Sequence, residues 1–195
     1  MSRPKPTPSR GLLERLIKEN TVYRGNSVDF RADEIVLPNG RRAVREYMDH
    51  PGAAAVVPFV SPETIVLVRQ YRFPVRRATL EIPAGKLAKG EAPVACLRRE
   101  LREETGYSAG RLTPLIAYWP TPAFANEVLH VYEARDLRAG RRHPDEDEFL
   151  EVVAMGFDNA LGLVLSGKIR DSKTVIGLLL CALKRSAGGH FTKIG

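Results

Sequence analysis

Two apolar, β-branched runs, AAAVVPFV at residues 53–60 and TIVLVRQY at residues 64–71, constrain the fold of this chain most. Both read as buried strands. Only the three residues SPE separate them, which makes the connection a turn. A chain of 195 residues is long enough to bury such strands in one sizeable core. Its 44% apolar and 27% charged residues are ordinary for a soluble globular protein.

The flanking segments supply elements of both kinds. In GLLERLIKEN, Leu12, Leu13, Leu16 and Ile17 fall at helical spacing, so a short helix is expected there. EIVLPNGRRAVREYMD reads as a hairpin turned at Asn39-Gly40, residues that tolerate positive φ. ATLEIPAG reads as a short strand stopped by Pro83 and Gly85. APVACLRRELREETG reads as a helix, with Pro93 in its first turn and Gly106 at its end. LTPLIAYWP, EVLHVYEARDL and FLEVVAM are further strands, and RRHPDEDE is a polar loop. DNALGLVLSGK and SKTVIGLLLCALKR are helices, the second with Ser172 as the expected N-cap. Strands and helices without strict alternation predict an α/β fold, a mixed sheet covered by helices. A flexible or weakly structured segment is expected over 1–20, strands over 21–50, the main domain over 51–186 and a flexible tail over 187–195.

Several classes of protein are disfavoured. MSRPKPTPSR lacks the apolar core of a secretory signal. LLLCAL is too short to span a bilayer. Cys96 and Cys181 lie far apart and form no metal or redox spacing, which points to a reducing, cytoplasmic compartment. The net charge of +7 suits an anionic partner. No block of five basic residues and no aromatic-basic motif is present, so nucleic acid is a minor option.

The helix at 92–106 concentrates carboxylates. Glu100 and Glu104 are four residues apart and share a face, with Glu103 beside them. Taken alone, RELREE fits a solvated helix face, with Arg98, Arg99 and Arg102 offsetting part of the repulsion. The flanks narrow the choice. Gly85 is followed after five residues by Glu91, and after seven more by Arg99-Glu100-Leu101, then Glu103-Glu104, Gly106 and Tyr107. Glycine has a frequency of about 7% and arginine and glutamate are of similar order, so chance agreement at seven fixed positions is negligible.

This spacing resembles the Nudix box at every fixed position. Tyr107 departs from the aliphatic residue usual at the last one. The resemblance implies a Nudix fold, a mixed sheet between helices with an N-terminal β-hairpin extension. It also implies a metal site in which Glu100, Glu104, Glu103 and the Ala84 carbonyl hold Mg²⁺, with Mn²⁺ as the alternative. Hard cations of this kind prefer oxygen ligands on a rigid face. Arg99 is implied to orient a glutamate through a charged hydrogen bond. Glu91 is read as support for the loop.

Outside the box, HPGAAAVVPF, VRQYR, LEIPAGKL, YWPTPAFANE and HPDEDEFLEV resemble the ADP-ribose pyrophosphatase subfamily. Pro122 lies fifteen residues past Tyr107, a spacing similar to that subfamily's. The resemblance implies hydrolysis of ADP-ribose to AMP and ribose 5-phosphate, with GDP-mannose or another nucleotide sugar as the alternative substrate. A non-catalytic nucleotide- or RNA-binding domain would be expected to have lost box glutamates, and here all are present. In the acidic loop, Glu146 is implied as the base and Glu148 as a further metal contact. A register shift of two residues makes Glu148 the base. Arg72 is implied at the phosphate or terminal ribose, and Arg45, Glu46 and Glu127 at the adenosine end. Glu81 is read either as a carboxylate behind the metal ligands or as the partner of an arginine between 69 and 77. Tyr23 and Phe30 are assigned to a core or dimer contact before adenine stacking. His50, His130 and His143 show no ligand spacing. The subfamily also implies a homodimer formed through the strands at 21–50.

Overall fold

The computed structural model describes residues 11–142 and 149–186. They form two compact units. The first holds residues 11–50 together with Thr121–Glu127, and the second holds Pro51–Pro120 and the chain from Val128 onwards.

The first unit is a small antiparallel sheet of β1 (Arg15–Lys18), β2 (Thr21–Arg24), β3 (Asp29–Val36) and β4 (Arg42–Asp49). Strands β1 and β2 lie end to end along one edge of β3, and β4 pairs along the other. The helix expected from Leu12 to Ile17 is therefore a strand. RLIK pairs with the far half of β3 (Arg15 opposite Val36), and that ladder outweighs a weak local helical spacing. The hairpin between β3 and β4 forms where expected. Gly40 takes the left-handed conformation at φ 83°, whereas Asn39 acts through its side chain, accepting the Arg41 N–H at 3.1 Å. The buried carboxylate of Asp33 ties this sheet together, accepting from Asn20 N (2.8 Å), from Arg31 and from the Tyr47 hydroxyl (2.8 Å). Thr121–Glu127 joins the unit through a bridge at Met48 and Ala125, with Met48 N donating to the Phe124 carbonyl at 2.8 Å.

The second unit is built on β5 (Ala53–Ser61) and β6 (Thr64–Arg72). They pair only beside their turn, Phe59 with Ile65 and Ser61 with Thr64, and then part. The following chain fills the gap. β7 (Arg77–Glu81) pairs with β6, and β8 (Ala84–Lys86) pairs with β5. Between them, Pro83 gives its carbonyl to Val56 N at 2.9 Å. The sequence anticipated one strand ending near Pro83. The chain instead crosses from one half-sheet to the other there and resumes pairing. β10 (Leu129–Ala139) runs parallel to β5, with β9 (Tyr107–Tyr118) antiparallel outside it. β11 (Leu150–Gly156) covers the outer edge of β6.

Strand alternation decides which helix lies where. Ala53, Ala55, Val57 and Phe59 of β5 join Phe157, Ala160, Leu178 and Cys181 of α2 (Phe157–Leu165) and α3 (Ser172–Ser186). Ala54 and Val56 point the other way, to Cys96, Leu97 and Leu101 of α1 (Pro93–Thr105). Burial on both faces explains why AAAVVPFV is apolar throughout. Full burial of a Val, Leu or Ile contributes about 1.5–3 kcal/mol each, so β5 and β6 anchor the unit. Asp171 rather than Ser172 caps α3, accepting the Thr174 N–H at 3.0 Å.

Helix α3 approaches this core closely because position 177 carries no side chain. A Cβ there would meet Val57 at 2.9 Å and Ile82 at 3.3 Å. Gly177→Val is expected to cost about 1–3 kcal/mol through overpacking. Urea unfolding of the two proteins checks this, and an unchanged midpoint would refute the tight contact.

Candidate active site

Helix α1 presents the carboxylates because of how it is held. Leu97 and Leu101 are buried under β5, which turns the Glu100 and Glu104 face towards β8. Glu100 and Glu104 are themselves buried, at 9% and 2% exposure. The helix starts at Pro93 and ends at Gly106, which is left-handed at φ 79°.

Two local features fix the geometry. The first is Gly85, where any Cβ would fall inside the Glu100 carboxylate. Glycine is therefore required for β8 to lie against this part of the helix. Beside it, Ala84 N donates to the Glu104 carboxylate at 3.2 Å, which puts the Ala84 peptide next to that group. The second is Arg99. Its Nη1 donates to Glu100 at 2.7 Å and to Glu103 at 3.0 Å, while its Nε and Nη2 each reach Glu91 at 3.3 Å. Glu91 also accepts the Ala88 N–H at 2.9 Å, so it braces the loop entering the helix. These bonds, that of Glu91 first, raise the Arg99 guanidinium above its ordinary value. The hydrogen bonds from Arg99 and Ala88 hold Glu91 below its ordinary value. Burial, then the charges of Glu100 and Glu91, push the Cys96 thiol up to about 12, so it is no nucleophile.

One guanidinium is shared among three carboxylates, with Glu104 close by. The group carries excess negative charge on oxygen donors alone, which suits a hard divalent cation. Among the described residues, no three His, Cys, Asp or Glu side chains converge as a ready cage. Arg99 draws Glu100 and Glu103, while Glu104 faces Ala84. A cation bound here competes with those hydrogen bonds for the same oxygens.

The other residues singled out in the sequence are distributed as follows. Arg72, at the end of β6, is bonded to Glu81 through Nε at 2.8 Å and Nη2 at 2.7 Å. Of the two readings of Glu81, the pairing with an arginine is observed. Arg45, Glu46 and Glu127 all belong to the first unit. Arg45 pairs with Glu14, its Nε at 2.9 Å. Glu46 is exposed on β4. Glu127 faces His50, with Nδ1 to Oε1 at 3.9 Å. Tyr23 and Phe30 pack edge to face at 6.2 Å, and both are exposed. His143, Glu146 and Glu148 lie outside the described residues. Sequence reasoning missed Lys173, which pairs with Glu81 and Asp171. It also missed Asn126, which links Asp49 (2.6 Å) to the His50 N–H (2.8 Å). Neither carries a local signal, because each acts across a long sequence separation.

Comparison with known proteins identifies the family. The model of the NUDIX domain matches residues 49–175. The chain belongs to the Nudix family. It is 40% identical over 179 residues to the ADP-ribose pyrophosphatase of Bacillus subtilis (strain 168), covering 91% of this chain and 97% of that one. It is also 40% identical over 175 residues to the methanol dehydrogenase activator of Bacillus methanolicus, covering 89% and 95%. The ADP-ribose pyrophosphatase of Mycobacterium tuberculosis (strain ATCC 25618 / H37Rv) shares 34% over 168 residues, covering 84% and 80%. The crystal structure of an ADP compounds hydrolase superposes with a TM-score of 0.77 at 24% identity, covering 90% and 96%, and shares the fold.

Gly85→Ala is expected to displace Glu100 and to lower hydrolytic turnover by about 100-fold, as misplacement of a reacting group by an ångström can. Steady-state kinetics beside a thermal melt check this. Wild-type turnover in the variant would refute the close approach.

Proposed function

We propose that this Nudix enzyme hydrolyses the diphosphate bridge of ADP-ribose, or of a closely related nucleoside diphosphate sugar, to a nucleoside monophosphate and a sugar phosphate. The observation that carries the reading is the buried Glu100–Glu104 face set against Ala84 and Gly85. Likeness over most of the chain to relatives named ADP-ribose pyrophosphatase supports the substrate. A bound Mg²⁺ or Mn²⁺, held by Glu100, Glu103, Glu104, Glu148 and the Ala84 carbonyl, would neutralise the diphosphate and activate water. The chain's own groups do the rest. Arg99 orients the box glutamates through charged hydrogen bonds. Glu146, with Glu148 as the alternative, accepts the proton of the attacking water. The water oxygen bonds to phosphorus while the bridging P–O bond breaks, and the leaving phosphate keeps that electron pair. Arg72 binds a phosphate oxygen or the terminal ribose, and Arg45, Glu46 and Glu127 serve the adenosine end.

A second reading takes GDP-mannose as the substrate. It is supported by the GDP-mannose pyrophosphatase of Yersinia pestis (strain Pestoides F), 32% identical over 149 residues, covering 68% of this chain and 72% of that one. Among the described residues no helix is long and apolar enough to cross a membrane. Two buried, free cysteines suit a reducing cytoplasm.

A panel of nucleoside diphosphate sugars with Mg²⁺, run in ¹⁸O-labelled water, tests the reaction. AMP release from ADP-ribose is expected to lead the panel, and Glu104→Gln is expected to abolish it in a folded protein. GMP release from GDP-mannose at a higher kcat/KM would favour the second reading. A near wild-type rate for Glu104→Gln would sink the ligand assignment.

The first unit further supports a homodimer through the strands at 21–50. Val22, Tyr23, Phe30 and Val44 expose 59, 61, 43 and 52% of their surface on one small sheet, more apolar surface than an isolated sheet favours. Sedimentation equilibrium is expected to give twice the 21.6 kDa chain mass. A monomer at micromolar concentration would exclude it.

A further inference from the structure

The second unit buries one more carboxylate, outside the box. Glu81, at 1% exposure, ends β7 and is surrounded by donors. Besides the two bonds from Arg72, it accepts from Thr79 Oγ1 at 2.5 Å, from Gln70 Nε2 at 3.4 Å and from the Lys173 ammonium. Lys173 also reaches Asp171 at 2.8 Å, and Asp171 caps α3. Burial alone would raise the Glu81 carboxyl. The Arg72 bonds and the Lys173 charge outweigh it and hold the group down at about 2, so it stays ionised.

A buried ion cluster of this kind gives little net stability over apolar residues of the same volume. Its geometry suggests another use. Arg72 is only partly covered, with 44% of its side chain exposed, while Glu81 below it is fixed. Glu81 occupies Nε and Nη2, and Nη1 has no hydrogen-bond partner among the described residues. The Glu81 hydrogen bonds, opposed by burial and helped by the charges of Glu81, Asp171 and Glu104, raise the guanidinium above its ordinary value. A long arginine side chain at a strand end is otherwise free to rotate away.

We propose that Glu81 and Lys173 are positioning residues, which hold one edge of the Arg72 guanidinium so that its other edge meets a phosphate oxygen of the substrate. This rests on the diphosphate-hydrolase reading above. Lys173 balances Glu81 and Asp171, leaving the Glu81 carboxylate available to Arg72. The planar fork of arginine matches a carboxylate on one edge and a phosphate on the next, which lysine cannot reproduce.

The test is a double-mutant cycle in kcat/KM for ADP-ribose at saturating Mg²⁺, with thermal melts on every variant. Arg72→Ala is expected to lower kcat/KM by about 10- to 100-fold, and Glu81→Gln by about tenfold. In the Arg72→Ala background, Glu81→Gln is expected to add almost nothing. Free guanidinium at millimolar concentration is expected to restore part of the activity of Arg72→Ala and none of the double variant. If Glu81→Gln does not fold, Lys173→Met is used in the same cycle. Equal losses from Glu81→Gln with and without Arg72, or rescue of both variants alike, would overturn the positioning role while leaving the hydrolase reading intact. A wild-type protein inactive on the whole panel would overturn both.

Discussion

The parting of β5 and β6 is the constraint on which the second unit depends. The two strands share only the pairs beside their turn. Beyond it, each leaves backbone donors and acceptors that must be satisfied, since both strands are buried. The segment from Arg77 to Lys86 meets that need twice, once on each side of Pro83. Because the backbone is used up in this way, the position of Ala84 and Gly85 is set by the sheet itself. The acidic helix then packs on the same strand through Leu97 and Leu101. The Ala84 and Gly85 backbone and the box glutamates thus share one rigid frame.

Charge is arranged in two layers on that frame. At the box, one arginine serves three glutamates, which leaves negative charge for a cation to neutralise. At the end of β7, two cations meet one buried carboxylate, and Asp171 balances the second of them. The first arrangement invites a ligand, whereas the second is closed apart from one edge of Arg72. In a chain of net charge +7, the box is thus a local site of excess negative charge.

Much of this was legible in the sequence where the signal is local. The β5–β6 pair, the NG hairpin and the Pro93-to-Gly106 helix follow from side-chain pattern and turn chemistry alone. The box residues were readable because their spacing is fixed by one helix and its entry loop. The failures share a cause. Leu12 to Ile17 follow the ladder offered by β3 and not their own spacing. Lys173 meets Glu81 across 92 residues of chain, and Asn126 meets Asp49 across 77, so no window of sequence contains either pair. The cap of α3 was misplaced by one residue, because Asp171 and Ser172 are both good caps and only the hydrogen bond distinguishes them.

The docking of Thr121–Glu127 on β4 has a consequence for how such a protein can change. That short segment is far from the amino-terminal strands in sequence, yet its backbone is bonded to Met48 and its Asn126 to Asp49 and His50. The two pieces form one compact unit although they are written in two places. A chimera that borrows the first fifty residues of a relative while keeping its own Pro122–Glu127 would join two halves of an edge made for different partners. For this chain the strands and the later segment have to match each other for that edge to keep its hydrogen bonds.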